Sequence, residues 1–294
     1  MKLQYFRGDR PNFGDELNSW LWPKLLPSFL DEDPATLFIG IGSILGNHYD
    51  PGAKKVVFGS GFVPSYQDAP DVRGDDWDIF FVRGPRTARA LNIPERLGIG
   101  DGAILIRAVD VPRPPAPERV GFMPHWESLS RGNWESACGL AGIDFIDPTR
   151  PVDAVLDAML GCRLLVTEAM HGAIVADALR IPWVPVLPLD AVHRLKWLDW
   201  AESLSIPLSS HRLWPSSVEE ARIATIRRPR LSAMVGSLSA PGLARASDRA
   251  LTHIAAKRLE ALSSKPASLS RDGDIDSATN RMLEQLDRLR ASYS

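Results

Sequence analysis

Two histidines in this chain stand just beyond short apolar runs, where an imidazole can meet a ligand and exchange a proton near neutral pH. His171 and Gly172 follow the run at residues 164–166, after Thr167 and Glu168. They open an apolar segment of helical spacing that stops at Ile181-Pro182. An imidazole there lies beside the free N–H groups and positive dipole end of a helix, so a bound anion would have a proton donor within reach. Gly172 lets such a ligand approach the backbone closely. A plain helix cap fits the same spacing equally well. His125 leaves the run at residues 119–123 in the same manner, within Pro124-His125-Trp126-Glu127.

Anion-holding groups accompany the histidines. Arg83-Gly84-Pro85-Arg86-Thr87 follows an apolar run at residues 77–82, with Pro85 suited to the first turn of a helix. Arg83 and Arg86 can fork onto a phosphate or carboxylate there, although two solvated arginines would look alike in sequence. Gly59, Ser60 and Gly61 end another apolar run and form either an anion-binding nest of amides or an unliganded tight turn. Asn12, Gly14 and Asp15 sit in a polar loop after the first run, where an Asp helix cap is the simpler alternative. Asp101, between Gly100 and Gly102, is a second carboxylate in a glycine turn, and it and Asp15 are candidate bases. Gly40, Gly42 and Gly46 lack the spacing and following helix of a dinucleotide fingerprint.

All these groups lie at the carboxyl ends of short apolar runs, which reads as buried parallel strands in an α/β fold. At 294 residues, two domains are expected. The boundaries predicted are an N-terminal Rossmann-like domain over 1–111 and a Pro-rich linker over 112–118. A C-terminal Rossmann-like domain with a helical extension follows over 119–262, then a flexible linker and short terminal helix over 263–294. The two parallel sheets would face one cleft.

Composition narrows the function. A net charge of −2 gives no footprint for nucleic acid. Two cysteines, Cys138 and Cys162, make no disulfide framework, and no His, Asp or Cys cluster has ligand spacing, so neither metal nor cofactor is expected. No signal core or membrane-length run is present, which predicts a cytoplasmic protein. The amphipathic, aromatic segment from His193 to Trp200 fits either an acceptor site or a core helix, and His48, His193, His211 and His253 read as surface residues. Arg227, Arg228, Arg230, Lys257 and Arg258 suit either a solvated face or an anionic membrane surface.

Taken in order, Asn12-Phe-Gly-Asp-Glu-Leu-Asn, Phe58-Gly-Ser-Gly, Val82-Arg-Gly-Pro-Arg-Thr, Gly100-Asp, Pro124-His-Trp and Met170-His-Gly-Ala resemble the polysaccharide pyruvyl transferase family. Within it, the ketal pyruvate transferases of exopolysaccharide assembly are the nearest in pattern. The resemblance implies a scaffold like the two-domain GT-B glycosyltransferases. It also implies phosphoenolpyruvate as donor and a sugar hydroxyl pair as acceptor, in an oligosaccharide carried on a polyprenyl lipid. That acceptor would bring the protein into peripheral contact with the inner membrane surface. The product would be a cyclic ketal, with phosphate released. Many members carry an arginine two positions before the motif histidine, where this chain has Ala169. Donor binding then falls to Arg83, Arg86 and the helix N-terminus. His171 is expected as general acid and His125 as second acid–base or donor-binding group. Two other classes fit the same scaffold: a nucleotide-sugar glycosyltransferase and a non-catalytic sugar-binding assembly protein.

Overall fold

The apolar runs form two all-parallel sheets in the computed structural model, which describes residues 1–112, 114, 117–188, 193–225 and 244–293. In the first half, β1 (Lys2–Gln4) leads through α1 (Phe13–Leu25) to β2 (Thr36–Ile39), β3 (Lys54–Phe58) and β4 (Trp77–Phe81). The sheet order is β1-β2-β3-β4, with Phe38 paired to Val56 and Val57 to Ile79. Loops rather than helices connect β2 to β3 and β3 to β4. After β4 come α2 (Pro85–Ala90) and a 3-10 helix, Gly102–Ala108, whose start is capped by the Asp101 carboxylate accepting from the Ala103 N–H at 3.0 Å.

The second half runs β5 (Arg119–Met123), α3 (Ser128–Arg131), α4 (Trp134–Ala141), β6 (Asp144–Phe145), α5 (Val152–Leu160), β7 (Cys162–Thr167), α6 (Met170–Ala178) and β8 (Trp183–Leu187). Then follow α7 (Leu195–Ser203), β9 (His211–Arg212), α8 (Val218–Thr225), and the terminal helices α9 (Ala244–Leu262) and α10 (Asp272–Tyr293). Its sheet order is β6-β5-β7-β8-β9. The chain leaves β5 toward β6 on one side and returns as β7 on the other. The strand order therefore reverses between β5 and β7, and open parallel sheets bind ligands beyond the carboxyl ends of strands at such a switch point.

The largest buried apolar cluster reaches across both halves. It joins Phe13, Leu17, Phe38, Phe58 and Ile104 to Met159, Ile174, Trp183 and Trp200, and to Ile275, Met282 and Leu286 of α10. Trp197 and Trp200 are core residues, which decides for packing over an acceptor role. The terminal segment differs from the flexible linker and short helix expected. Ser268 exchanges two backbone hydrogen bonds with Trp183, and Ser270 donates from both its N–H and hydroxyl to the buried Asp177 carboxylate at 2.8 and 2.5 Å. The helix after it is 22 residues long. Its buried Ile275, Ala278, Met282, Leu286 and Leu289 recur every three or four residues, as one helix face against a core requires. Tyr293 Oη donates to Asp78 at 2.5 Å, tying this C-terminal helix to β4 of the first sheet. Much of the Pro-rich segment lies in the described residues, but positions 113, 115 and 116 fall outside them, as do Arg227, Arg228 and Arg230.

Candidate active site

His125 and His171 stand at the carboxyl ends of β5 and β7, the adjacent strands of the switch point. The two exits are fastened together by Glu168. Its carboxylate accepts from the His125 N–H at 2.8 Å, while its own N–H donates to the Met123 carbonyl at 2.9 Å. Glu168 is buried and, through these two bonds, serves the scaffold; it does not line the cavity.

Both histidines face a cavity of about 610 Å³. The second half contributes His125, Trp126, Glu127, His171, His193 and Lys196 to its wall, and the first half Tyr5, Arg7, Asp15, Ser43, Tyr49 and Tyr66, among others. His171 Nε2 points at the buried Asp101, 3.6 Å from Oδ2, and neither atom has a hydrogen bond among the described residues. A fixed carboxylate behind one imidazole nitrogen sets which face of the ring meets a ligand. The other side of the ring is seated on Gly14, where a Cβ would fall 1.9 Å from Nδ1 and 2.6 Å from Cγ. Gly14→Ala must therefore move the ring. Since about 1 Å of misplacement can cost a hundredfold in rate, turnover in this variant should fall ~10²-fold with the fold intact by circular dichroism; unchanged turnover would free the ring position from the chemistry.

Asp15 lies alongside, held by Asn12, whose side-chain amide donates to Oδ2 at 2.8 Å. Burial raises its carboxyl above the usual range, opposed by the nearby His171, Asn12 and Lys196. Lys196 is pushed down to about 8, chiefly by removal from water, with Arg83 reinforcing and Asp15, Glu127 and Asp101 opposing. Burial, reinforced by Lys196 and His193, also drives the His125 imidazolium well below the histidine range, so His125 is neutral at pH 7. A neutral imidazole cannot serve as the resting proton donor.

The strongest correction concerns Arg83. The strand exit and helix start form the anion site that their sequence predicts, and the anion is the protein's own Asp199 from α7. Its carboxylate accepts from Arg83 Nε at 3.0 Å, from the Arg86 and Thr87 N–H groups at 3.0 and 3.1 Å, and from Thr87 Oγ1 at 2.6 Å. Arg83 is fully buried and does not line the cavity; it reaches the wall only by donating from Nη1 to Ser43 Oγ at 2.6 Å. Arg86 pairs at the surface with Glu202 at 2.7 Å, and Gly84 is packed so tightly that a Cβ would meet the Asp199 carbonyl at 2.2 Å. Gly59, Ser60 and Gly61 are buried behind this pair, with Gly59 at φ +91° and Gly61 pressed on the Arg83 guanidinium. Gly172 abuts Met123 Sδ and Thr167 Oγ1, each 2.7 Å from where a Cβ would sit.

A sequence model of the polysaccharide pyruvyl transferase family matches residues 12–189. The chain is 39% identical over 232 residues to the succinoglycan biosynthesis protein ExoV of Rhizobium meliloti (strain 1021), covering 77% of this chain and 72% of that protein. The chain belongs to the polysaccharide pyruvyl transferase family. No solved structure matches it.

In this pyruvyltransferase, the matched region covers β2 to β8 with both histidines and ends just before the segment carrying His193 and Lys196. Sequence reasoning offered the segment that carries both for an acceptor site without singling either out, and it missed Tyr66 and the place of His48 on the cavity wall. His193 is thus a partly buried cavity residue rather than the surface group expected, while His48 is exposed, as expected, and lines the cavity as well. A signal for His193 and Lys196 did exist: they follow the exit of β8, and strand exits line the crevice. Tyr66 carries no such signal, because only the long β3–β4 loop brings it there. No helix among the described residues is long and apolar enough to cross a membrane.

Proposed function

We propose that this pyruvyltransferase moves the enolpyruvyl group of phosphoenolpyruvate onto a hydroxyl pair of an exopolysaccharide repeat unit, closing a cyclic ketal and releasing phosphate. The observation that carries the proposal is His171, braced by buried Asp101 and Gly14 in a cavity whose nearby cations are Lys196 and Arg7. In the first step His171 gives its proton to the methylene carbon of the donor, using the π electrons of the enol double bond. The adjacent carbon becomes oxocarbenium-like, and one acceptor hydroxyl attacks it as that hydroxyl loses its proton. In the second step the other hydroxyl attacks the same carbon, and the carbon–oxygen bond to phosphate breaks. One hydroxyl proton thereby replaces the proton spent by His171, and the other leaves with phosphate or solvent.

Lys196 and Arg7 are the groups we assign to the donor's phosphate and carboxylate, in place of Arg83 and Arg86. The walls suit the acceptor: Tyr5, Phe6, Tyr49, Tyr66 and Trp126 offer aromatic faces to sugar rings, and all but Phe6 carry a polar group as well. We read the paired parallel sheets as two Rossmann-like domains arranged as in GT-B enzymes. The acceptor is taken as polyprenyl-linked at the cytoplasmic membrane face. Lys257 and Arg258 of α9 add little to that contact, being engaged with Glu260 and the Trp214 ring.

A phosphate-release assay with phosphoenolpyruvate and hexose-terminated oligosaccharides, paired with mass spectrometry of the sugar, tests the proposal. Phosphate matched by a sugar carrying pyruvate less one water is expected; hexose transfer from a nucleotide sugar would replace this reading with a glycosyltransferase. The same assay checks Lys196. If it holds the donor, KM for phosphoenolpyruvate rises as pH climbs through about 8, where the free amine loses its charge. Lys196→Arg stays charged and should flatten that rise; a rise that persists in this variant would place the titration elsewhere.

A further inference from the structure

We propose that Tyr66, His193 and Glu127 form a proton-accepting relay for the acceptor hydroxyl, an assignment that rests on the pyruvyl-transfer reading above. The three side chains come from separate places in the chain and meet on one cavity wall. Tyr66 belongs to the loop after β3, Glu127 to the exit of β5 and His193 to the segment before α7. Tyr66 Oη lies 2.7 Å from His193 Nδ1, and His193 Nε2 lies 3.1 Å from Glu127 Oε2. Arg131 Nη2 donates to the same carboxylate oxygen at 3.0 Å.

The direction of the hydrogen bonds follows from Glu127. Its carboxyl is held down to about 2, first by the hydrogen bond from His193, with Arg131 adding and burial opposing. An ionised carboxylate only accepts, so Nε2 of His193 carries a hydrogen, and the relay assigns the ring its neutral form, in which Nδ1 presents its lone pair. Tyr66 then donates to Nδ1. This is the order of groups that activates a hydroxyl elsewhere: carboxylate orienting imidazole, imidazole accepting from an O–H. Here the hydroxyl at the end is a phenol on the cavity wall, and exposed Tyr66 is the least buried of the three. When the acceptor oxygen bonds to the donor's central carbon, its proton passes to Tyr66 Oη. The phenolic proton passes to His193 Nδ1, and Glu127 faces the resulting imidazolium. That proton leaves to solvent or departing phosphate, and no other reactant is needed.

His125, Glu127 and His193 also place one ligand atom each within 4.8 Å of one another, a grouping that could suit a cation. The ring geometry favours the relay. The two imidazoles stack with centroids 4.5 Å apart and planes 28° from parallel, so their in-plane lone pairs do not converge on one point at bonding distance.

Two measurements on the full-length protein decide the matter. Long-range proton–nitrogen spectra of nitrogen-15 histidine should show His193 with its hydrogen on Nε2, and Glu127→Gln should erode that preference. With phosphoenolpyruvate and a hexose-terminated oligosaccharide, Tyr66→Phe should lower kcat ~10²- to 10⁴-fold with KM for the donor changed less than about threefold. Glu127→Gln, a positioning variant, should lose about tenfold while Glu127→Asp recovers part of it. Hydrogen on Nδ1 of His193, or full kcat in Tyr66→Phe, would overturn the relay. Activity abolished by a chelator and restored by a divalent cation would overturn it in favour of metal. A wild type that releases no phosphate with any such sugar removes the pyruvyl-transfer reading, and the relay's role with it.

Discussion

Replacing His171 by Gln should lower turnover ~10²- to 10⁴-fold while weakening donor binding far less. Gln keeps a planar polar head of similar reach but has no proton to give. Asp101 and Gly14 still define its seat, so the fold and the cavity should persist. The contrast between kcat and KM is the informative part. A variant that lost only donor affinity would make His171 a binding residue. The proton would then have to come from elsewhere, and not readily from His125, which burial keeps neutral. Asp101→Asn provides a gentler companion: it keeps the His171 imidazole but removes the carboxylate behind Nε2, and its loss of kcat should be smaller.

Asp199→Ala should be among the most destabilising single changes in the chain. Removing one partner of a buried ion pair costs ~3–5 kcal/mol, because the other charge stays behind without compensation. Here that charge is Arg83, with no solvent exposure, and the N-terminus of α2 loses three further donors' acceptor at the same stroke. Thermal or denaturant unfolding of Asp199→Ala against wild type reads the loss directly. Because α7 carries both Asp199 and Lys196, donor KM should rise even at temperatures where the variant remains folded. A loss below about 1 kcal/mol, the range of exposed pairs, would mean that the pair contributes no more than a surface contact. By the same argument, Arg86→Ala should leave donor KM unchanged, since Arg86 is spent on Glu202 at the surface.

The parallel sheets were legible because buried parallel strands are short apolar runs that end in small residues, and this chain repeats that signature. The convergence of His125 and His171 was legible for the same reason, since both occupy strand exits. The identity of the anion at Arg83 was not. An arginine fork beside a helix N-terminus announces that something negative binds there, but it cannot distinguish a phosphate from an aspartate 116 positions further on. Glu168 posed the same ambiguity: in sequence it is a charge beside the site, and in the fold it is a buried acceptor for a backbone N–H. Tyr66 and His193 are 127 residues apart and meet only because the loops of the two halves close over one cavity. The C-terminal helix shows a clear apolar stripe, yet nothing local says that it returns to the first sheet through Tyr293 and Asp78.

The central claim is that a protein-held proton converts the donor's methylene into the product's methyl group. Carrying out the reaction in deuterated water with phosphoenolpyruvate and the acceptor oligosaccharide tests it directly, with proton and carbon NMR of the sugar and phosphorus NMR of the released anion. The account predicts one solvent deuterium in each ketal methyl and one phosphate per ketal, both lost together in His171→Gln; a ketal methyl without solvent deuterium, or a sugar product formed without phosphate release, would contradict it.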